Sequence, residues 1–104
     1  MARKELQILI TPRKETVTVA LAGEVHFDFA ASDAQIRKVL AHKPKMVLVD
    51  AAELTFLSSV GMCFLINLRR AVREAGGNMK LQALQPQVRK VMEQAHVIQL
   101  FEGE

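Results

Sequence analysis

A short apolar run at residues 46–49 ends at Asp50 and lies between two segments of helical periodicity. Its brevity and β-branched residues favour a strand over a helix, and the lack of alternation is typical of a strand that is covered on both faces. Strands that alternate with helices after residue 45 predict parallel pairing through right-handed crossover connections. This alternation constrains the fold most strongly, because it predicts an α/β architecture.

Two further strands are predicted before this run. Residues 6–11 form a short apolar segment, and residues 16–21 read Thr-Val-Thr-Val-Ala-Leu, an alternation with a period of two residues. Residues 12–14 predict a turn, because Pro12 fixes its own φ angle and lacks an N–H donor. The two strands therefore predict an antiparallel hairpin, whose second strand ends at residues 22–24.

A first helix is predicted over residues 29–41, where apolar residues recur on one stripe. Either Ser32 or Asp28 supplies its N-cap, and residue type does not distinguish between them. Pro44 ends the segment. The members of the stripe are Ile36, Val39 and Leu40.

The longest helix is predicted from Ser59 to about Ala75. It stops at Gly76-Gly77, because glycine accepts the left-handed conformation that follows many helices. A third helix begins at Pro86, which the first helical turn tolerates. The apolar stripes comprise Phe64, Leu65, Leu68, Val72 and Ala75 in the longest helix, and Val88, Val91, Met92 and Ala95 in the third.

A further strand over residues 79–84 separates these helices, and residues 97–101 form a short final strand or a docked tail. The predicted order is β-β-α-β-α-β-α. We therefore predict an α/β fold with a mixed β-sheet and helices packed largely on one face. Residues 1–104 form one domain, since a chain of this length supports one core but not two.

The composition excludes several classes of function. No apolar run approaches the ~18 residues of a membrane span, and the N-terminus lacks the apolar stretch of a signal peptide, which predicts a cytoplasmic protein without membrane insertion. Cys63 is the only cysteine, so no intramolecular disulfide and no cysteine-rich zinc site can form. The histidines, His26, His42 and His96, lack metal-ligand spacing. We expect neither a metal nor a cofactor.

Nucleic-acid binding and catalysis are also disfavoured. The chain has five Phe but no Tyr and no Trp, whereas readers of single strands need aromatic stacking platforms. A net charge of +3 does not require a DNA partner. No set of acid, base and nucleophile is evident, so we expect a binding protein and not an enzyme.

The stretch from Asp50 to Gly61 joins the predicted central strand to the N-terminus of the longest helix. Ligands gather beyond the carboxyl ends of parallel strands, and helix N-termini favour anions. One serine of the Ser58-Ser59 pair can cap the helix, which is the interpretation that residue type favours. A phosphoserine would be stabilised by the same N–H groups and would add about −1.5 to −2 of charge.

Residues 56–62, Phe-Leu-Ser-Ser-Val-Gly-Met, resemble the strand-to-helix signature of the STAS domain, as in bacterial anti-sigma factor antagonists. Residues 22–25, Ala-Gly-Glu-Val, are similar to the family's Gly-Glu-Leu-Asp, and residues 47–50 to its central strand. Residues 76–78 before a strand and residues 86–88 at a helix start also fit. The resemblance covers nearly the whole chain and implies a STAS-like fold.

In that family, the serine directly after the aspartate of the signature is phosphorylated by a partner kinase that is also the anti-sigma factor. The unphosphorylated antagonist binds this partner and releases the sigma factor. The resemblance assigns phosphorylation to Ser59, and less favourably to Ser58. Three positions depart from the pattern: Ser58 replaces the aspartate, Val60 replaces a second Ser or Thr, and His26 falls near the aspartate of Gly-Glu-Leu-Asp, with Asp28 two residues on.

The resemblance thus implies a regulatory module that docks an anti-sigma factor/serine kinase protein and is switched by phosphorylation at a helix N-terminus. The alternative is a STAS subunit of a lipid-transport or sensory complex, which binds a transporter ATPase without phosphorylation, and Ser58 and Val60 favour it. Self-association as a weak homodimer is left open. The predicted partner-binding residues are Glu24, His26, Asp28, Ser58, Ser59, Val60, Gly61, Met62, Arg69 and Arg70.

Three features near the helix have two interpretations each. Arg69, Arg70 and Arg73 form a solvated face, or a basic patch that meets an acidic partner. Met62 lies in the core or offers a partner an apolar contact. Cys63 is predicted to be a buried structural thiol, because no activating His or acid lies nearby in sequence.

Overall fold

The computed structural model describes residues 7–25 and 29–102, which form strands and helices in alternation. No helix in these ranges is long and apolar enough to cross a membrane. In chain order the elements are β1 (Gln7–Arg13), β2 (Thr16–Val25), α1 (Phe29–Leu40), β3 (Met46–Leu57), α2 (Ser59–Glu74), β4 (Asn78–Gln82), α3 (Pro86–Gln94) and α4 (Gln99–Glu102).

The strands form one mixed sheet in the order β1-β2-β3-β4. β1 pairs with β2 in an antiparallel hairpin, whereas β3 is parallel to both β2 and β4. The predicted α/β fold and its order β-β-α-β-α-β-α are therefore confirmed. The strands β2, β3 and β4 are parallel because α1 and α2 each return the chain to the end of the sheet at which the preceding strand began.

The core lies on one face of the sheet, where alternate residues of β2 and β3 are fully buried. The opposite face is only partly shielded: Leu48 is half-buried and Leu9 is 65% exposed. The expectation that the apolar run at residues 46–49 is covered on both faces was therefore wrong, because Met46 and Leu48 are apolar side chains on the open side. The fully buried strand residues include Val17, Val19, Leu21, Val47 and Val49.

The hairpin turn begins at Lys14 and not at Pro12, where it was predicted to begin. β1 continues through Pro12 to Arg13, which pairs with Thr16, so the turn consists of Lys14 and Glu15. Proline is tolerated because β1 is an edge strand, where a missing ladder donor costs little. Lys14 has a φ of 56°, in the left-handed region that glycine adopts without a Cβ clash.

Lys14→Gly is expected to raise the free energy of unfolding by about 1 kcal/mol, because the left-handed conformation strains any residue with a Cβ. The matched control is Lys38→Gly, in the last turn of α1, which is expected to lower it by about 1 kcal/mol. Urea denaturation of both variants measures the difference. Destabilisation by both substitutions would contradict the assigned turn.

β3 is longer than expected. Residues 51–57 lie in the stretch that was predicted to join the central strand to the longest helix, but they continue the strand. The pairing with β2 shifts register twice, between Ala20 and Ala22 and between Gly23 and Glu24. Each shift is a β-bulge that places one extra residue in β3. As a result the buried residues Ala51, Leu54 and Leu57 are three apart, a spacing that a search for period-two alternation does not detect.

The first bulge is stabilised by polar groups. The Asp50 carboxylate accepts a hydrogen bond from the backbone N–H of Ala52 at 3.0 Å. The side-chain amide of Gln85, the N-cap residue of α3, donates to the Ala52 carbonyl at 2.7 Å. These bonds satisfy the N–H and the carbonyl group of Ala52, a residue that the bulge excludes from the regular pairing of β2 with β3. At the second register shift, Gly23 adopts a φ of 82°, which glycine reaches without a Cβ clash.

Several predicted element ends were corrected. Ser32 lies inside α1 and is not its N-cap, and Asp28 lies outside the described residues. The final segment is not a strand: it ends in the short helix α4 and docks through Ile98 and Phe101, both buried. Ala75 and Ala95 are exposed, since each directly follows the last residue of its helix.

Candidate functional site

The strand-to-helix junction after β3 assigns different roles to the two serines. Ser58 is the N-cap of α2, with extended backbone (φ −79°, ψ 172°). Its hydroxyl oxygen accepts a hydrogen bond from the Gly61 N–H at 3.1 Å, and its carbonyl accepts from the Met62 N–H at 2.9 Å. The N-cap interpretation is therefore confirmed for Ser58, whose hydroxyl is engaged and half-buried.

Ser59 is the first residue of α2 and is exposed. Its position places it beside the backbone N–H groups at the positive end of the helix dipole. The first turn of α2 contains no acidic residue, so no carboxylate there competes for these groups. A negative group attached to Ser59 would meet a favourable local field.

An exposed stripe of α2 begins at Ser59 and continues through Cys63, Ile66 and Arg70, at intervals of three or four residues. We call these four residues the α2 stripe. Ser59, Cys63 and Arg70 are exposed and Ile66 is half-buried. Phe56, at the end of β3, adds an aromatic surface that is 45% exposed. The stripe with Phe56 therefore has small and apolar residues at one end and a basic residue at the other.

The other predicted residues of α2 lie beside this stripe or beneath it. Gly61 is buried, whereas Val60 and Met62 are half-buried. Met62 packs against the core cluster and is also partly exposed. It is therefore a core residue that still offers an apolar surface. Arg69 is half-buried on the flank of the helix. Arg70 belongs to the stripe, about 16 Å from Ser59 along the helix axis.

The predicted residues of the β2 end are only partly described. The backbone of Glu24 pairs with Phe56, which places the end of β2 beside the junction. His26 and Asp28 lie outside the described residues. Among residues 7–25 and 29–102, no group of His, Cys, Asp and Glu could hold a metal ion.

Two surface residues of this region were missed from sequence. Cys63 is exposed, so the predicted buried thiol was wrong. Its position four residues after Ser59, opposite Phe64, Leu65 and Leu68 on the helix, was the signal that could have shown this. Phe56 belonged to the resembling motif, but its exposure depends on the bulged end of β3.

Known proteins share this fold over most of the chain. A family model described as Mlab, STAS domain, matches residues 9–102. An anti-sigma factor antagonist from Mycobacterium paratuberculosis is 20% identical, with a TM-score of 0.75 over 93% of this chain and 83% of that one. The antagonist SpoIIAA in its unphosphorylated form is 23% identical, with a TM-score of 0.69 over 89% and 82%.

A transporter domain is similar as well. The STAS domain of a SulP transporter from Vibrio cholerae is 19% identical, with a TM-score of 0.67 over 88% of this chain and 70% of that one. No curated protein sequence matches the chain significantly. Identities of this size establish a common fold, and the family match spans nearly all described residues. The chain therefore belongs to the STAS domain family.

Proposed function

We propose that this chain is a regulatory binding module of the anti-sigma factor antagonist kind, which acts in the cytoplasm and controls transcription through its partner. It docks a protein that is both anti-sigma factor and serine kinase, and phosphorylation of Ser59 breaks the contact. The observation that carries the proposal is the difference between the serines. Ser58 is engaged as the N-cap, whereas Ser59 is exposed at the start of the α2 stripe.

The proposed switch acts on the surface and leaves the fold intact. A phosphate adds about −1.5 to −2 of charge, and the N–H groups of the first helical turn stabilise this charge in the free protein. In the complex the same charge would lie among Phe56, Val60 and Cys63. Its desolvation there opposes docking.

The departure at Ser58 is compatible with this mechanism. Serine and aspartate are about equally effective N-caps, and the Ser58 hydroxyl makes the capping bond to Gly61. The start of α2 is therefore preserved although the family's aspartate is absent. What is lost is one negative charge beside the acceptor hydroxyl, which would affect the rate of phosphorylation more than docking.

Incubation with the cognate kinase-type anti-sigma factor and ATP is expected to place one phosphate on Ser59, located by mass spectrometry of peptides. Ser59→Ala should abolish the modification. Ser58→Ala is the matched control: it should remain phosphorylated at Ser59, while losing about 1 kcal/mol of stability with its cap. A phosphate on Ser58, or an unmodified chain together with unchanged partner binding by Ser59→Asp, would refute the switch.

A second candidate is a STAS subunit of a lipid-transport or sensory complex that docks through the same surface without phosphorylation. The similarity to a transporter STAS domain supports it, as do Ser58 and Val60 in place of the family's residues. Affinity capture with the intact chain distinguishes the candidates. A transporter ATPase or a membrane-complex subunit would favour the second, and an ATP-binding kinase the first.

A further inference from the structure

Several basic residues lie at the end of the sheet where β3 begins, which is the end opposite to Ser59. They belong to two neighbouring connections. Arg13 is the last residue of β1 and Lys14 lies in the β1–β2 turn, whereas the α1–β3 loop contributes Lys43 and Lys45. All four side chains are exposed. We call these four residues, together with Glu15, the basic tip.

The two loops are held together by direct contacts. The Lys45 N–H donates to the Glu15 carbonyl at 2.8 Å, and Lys45 Nζ lies 3.2 Å from Glu15 Oε1. The Lys45 carbonyl also accepts from the Asn78 N–H at 2.9 Å, which fixes the loop to the start of β4. The basic side chains therefore project from an ordered platform.

The basic tip accounts for the entire formal net charge of the chain. It combines four basic residues with one acid, a net charge that equals the +3 of the whole sequence. Because the chain has 14 basic and 11 acidic residues, the rest contains ten of each. The remaining residues therefore carry no net formal charge.

We propose that the basic tip binds an anionic membrane surface. Three of its four cations are lysines, which act as point charges and lack the planar fork that arginine offers to a single phosphate. A plane of acidic headgroups can meet several exposed charges together, here those of Arg13, Lys14 and Lys43, since Lys45 is paired with Glu15. A shallow cleft beside the tip adds the hydroxyl donors of Thr16 and Thr18 for a phosphate oxygen. Arg13, Lys14, Glu15 and Leu48 also line it.

A nucleic acid fits the tip less well. The chain contains no Tyr and no Trp, and the tip itself contains no aromatic residue on which a base could stack. The tip is formed by the end of the β1–β2 hairpin and by the α1–β3 loop. Because β2 also pairs with β3, the hairpin is not a free two-stranded ribbon that could enter a groove. Membrane binding would also leave Ser59 accessible, since β3 separates Ser59 from the tip by roughly 35 Å.

Sedimentation with lipid vesicles tests the proposal. The full chain is expected to bind phosphatidylcholine vesicles that contain about 30% phosphatidylglycerol and not to bind vesicles of pure phosphatidylcholine. It should dissociate from the acidic vesicles as the salt concentration rises. Lys14→Glu should bind at least about fivefold more weakly. Lys90→Glu makes the same change of net charge on α3, where Lys90 is exposed, and should retain binding within about twofold.

Three results would overturn the proposal. One is an absence of binding to acidic vesicles at low salt. Another is an equal loss in Lys14→Glu and Lys90→Glu, since this would reflect net charge and not the tip. The third is tighter binding to a short DNA duplex than to vesicles, which would assign the tip to nucleic acid. Ser59→Asp should bind vesicles like the wild type, so failure of the proposed switch would leave this result unaffected.

Discussion

Ser59→Asp is expected to weaken binding to the partner at least about 100-fold, or ~2.7 kcal/mol, without destabilising the free protein. An aspartate at the first helical position interacts favourably with the helix dipole, by about 0.3–1 kcal/mol. In the complex, the same carboxylate would be desolvated beside Phe56 and Cys63, which commonly costs several kcal/mol. Isothermal titration calorimetry and thermal unfolding of the same samples separate the two effects.

Two matched variants isolate the role of charge at this position. Ser59→Asn has nearly the shape of aspartate but no charge, and should bind within about fivefold of the wild type because it introduces no buried ion. Ser59→Ala removes only the exposed hydroxyl and should bind like the wild type. Equal losses with Asn and Asp would assign the effect to size. Full binding by the Asp variant would place the docking surface away from Ser59.

Gly77→Ala is expected to be the most damaging single-methyl addition at the end of α2, at a cost of about 3 kcal/mol. A Cβ at this position would lie 2.8 Å from the Pro44 carbonyl oxygen, 3.0 Å from Val72 Cγ1 and 3.2 Å from the Lys45 carbonyl oxygen. The two oxygens cannot move freely. Pro44 is buried, and the Lys45 carbonyl is fixed by the Asn78 N–H.

Gly76→Ala is the matched control, because a Cβ there would meet nothing within 4 Å. Its φ of 89° still strains an alanine, so a smaller loss of about 1–2 kcal/mol is expected. Urea denaturation of both variants gives the difference. Equal losses would mean that the contact of a Cβ at Gly77 with the Pro44 carbonyl oxygen costs no more than the backbone strain at Gly76.

The sequence predicted the architecture because its signals are local. Each of α1, α2 and α3 carries an apolar stripe, and Gly76 with Pro86 marks two of the boundaries. The segments that were predicted wrongly are those whose structure depends on pairing with a neighbouring strand. Residues 51–57 belong to β3 because bulges against β2 change the spacing of buried residues, and Pro12 stays in β1 because that strand lies at an edge.

The candidate site was located from sequence, but its internal roles required coordinates. Residue type allowed either serine to be the N-cap, and only the bond from the Gly61 N–H to Ser58 assigns that role. The likeness to anti-sigma factor antagonists, and not the physical pattern, singled out Ser59 for phosphorylation. The basic tip was missed because Arg13 and Lys14 are about thirty residues from Lys43 and Lys45, and pairing of β2 with β3 brings them together.

Each bulge of β3 reverses which residues of the strand face the core, so two bulges together restore the original alternation. Each bulge also lengthens the strand by one residue. Up to Ala51 the inward-facing residues of β3 have odd numbers, the first bulge changes the parity to even at Leu54, and the second restores it at Leu57. A single-residue insertion or deletion at either bulge would therefore direct Leu57 to the open face and start α2 on the wrong side. Loss of both bulges would keep the parity and shorten the strand. Relatives of this chain should consequently differ here by two residues, or by none.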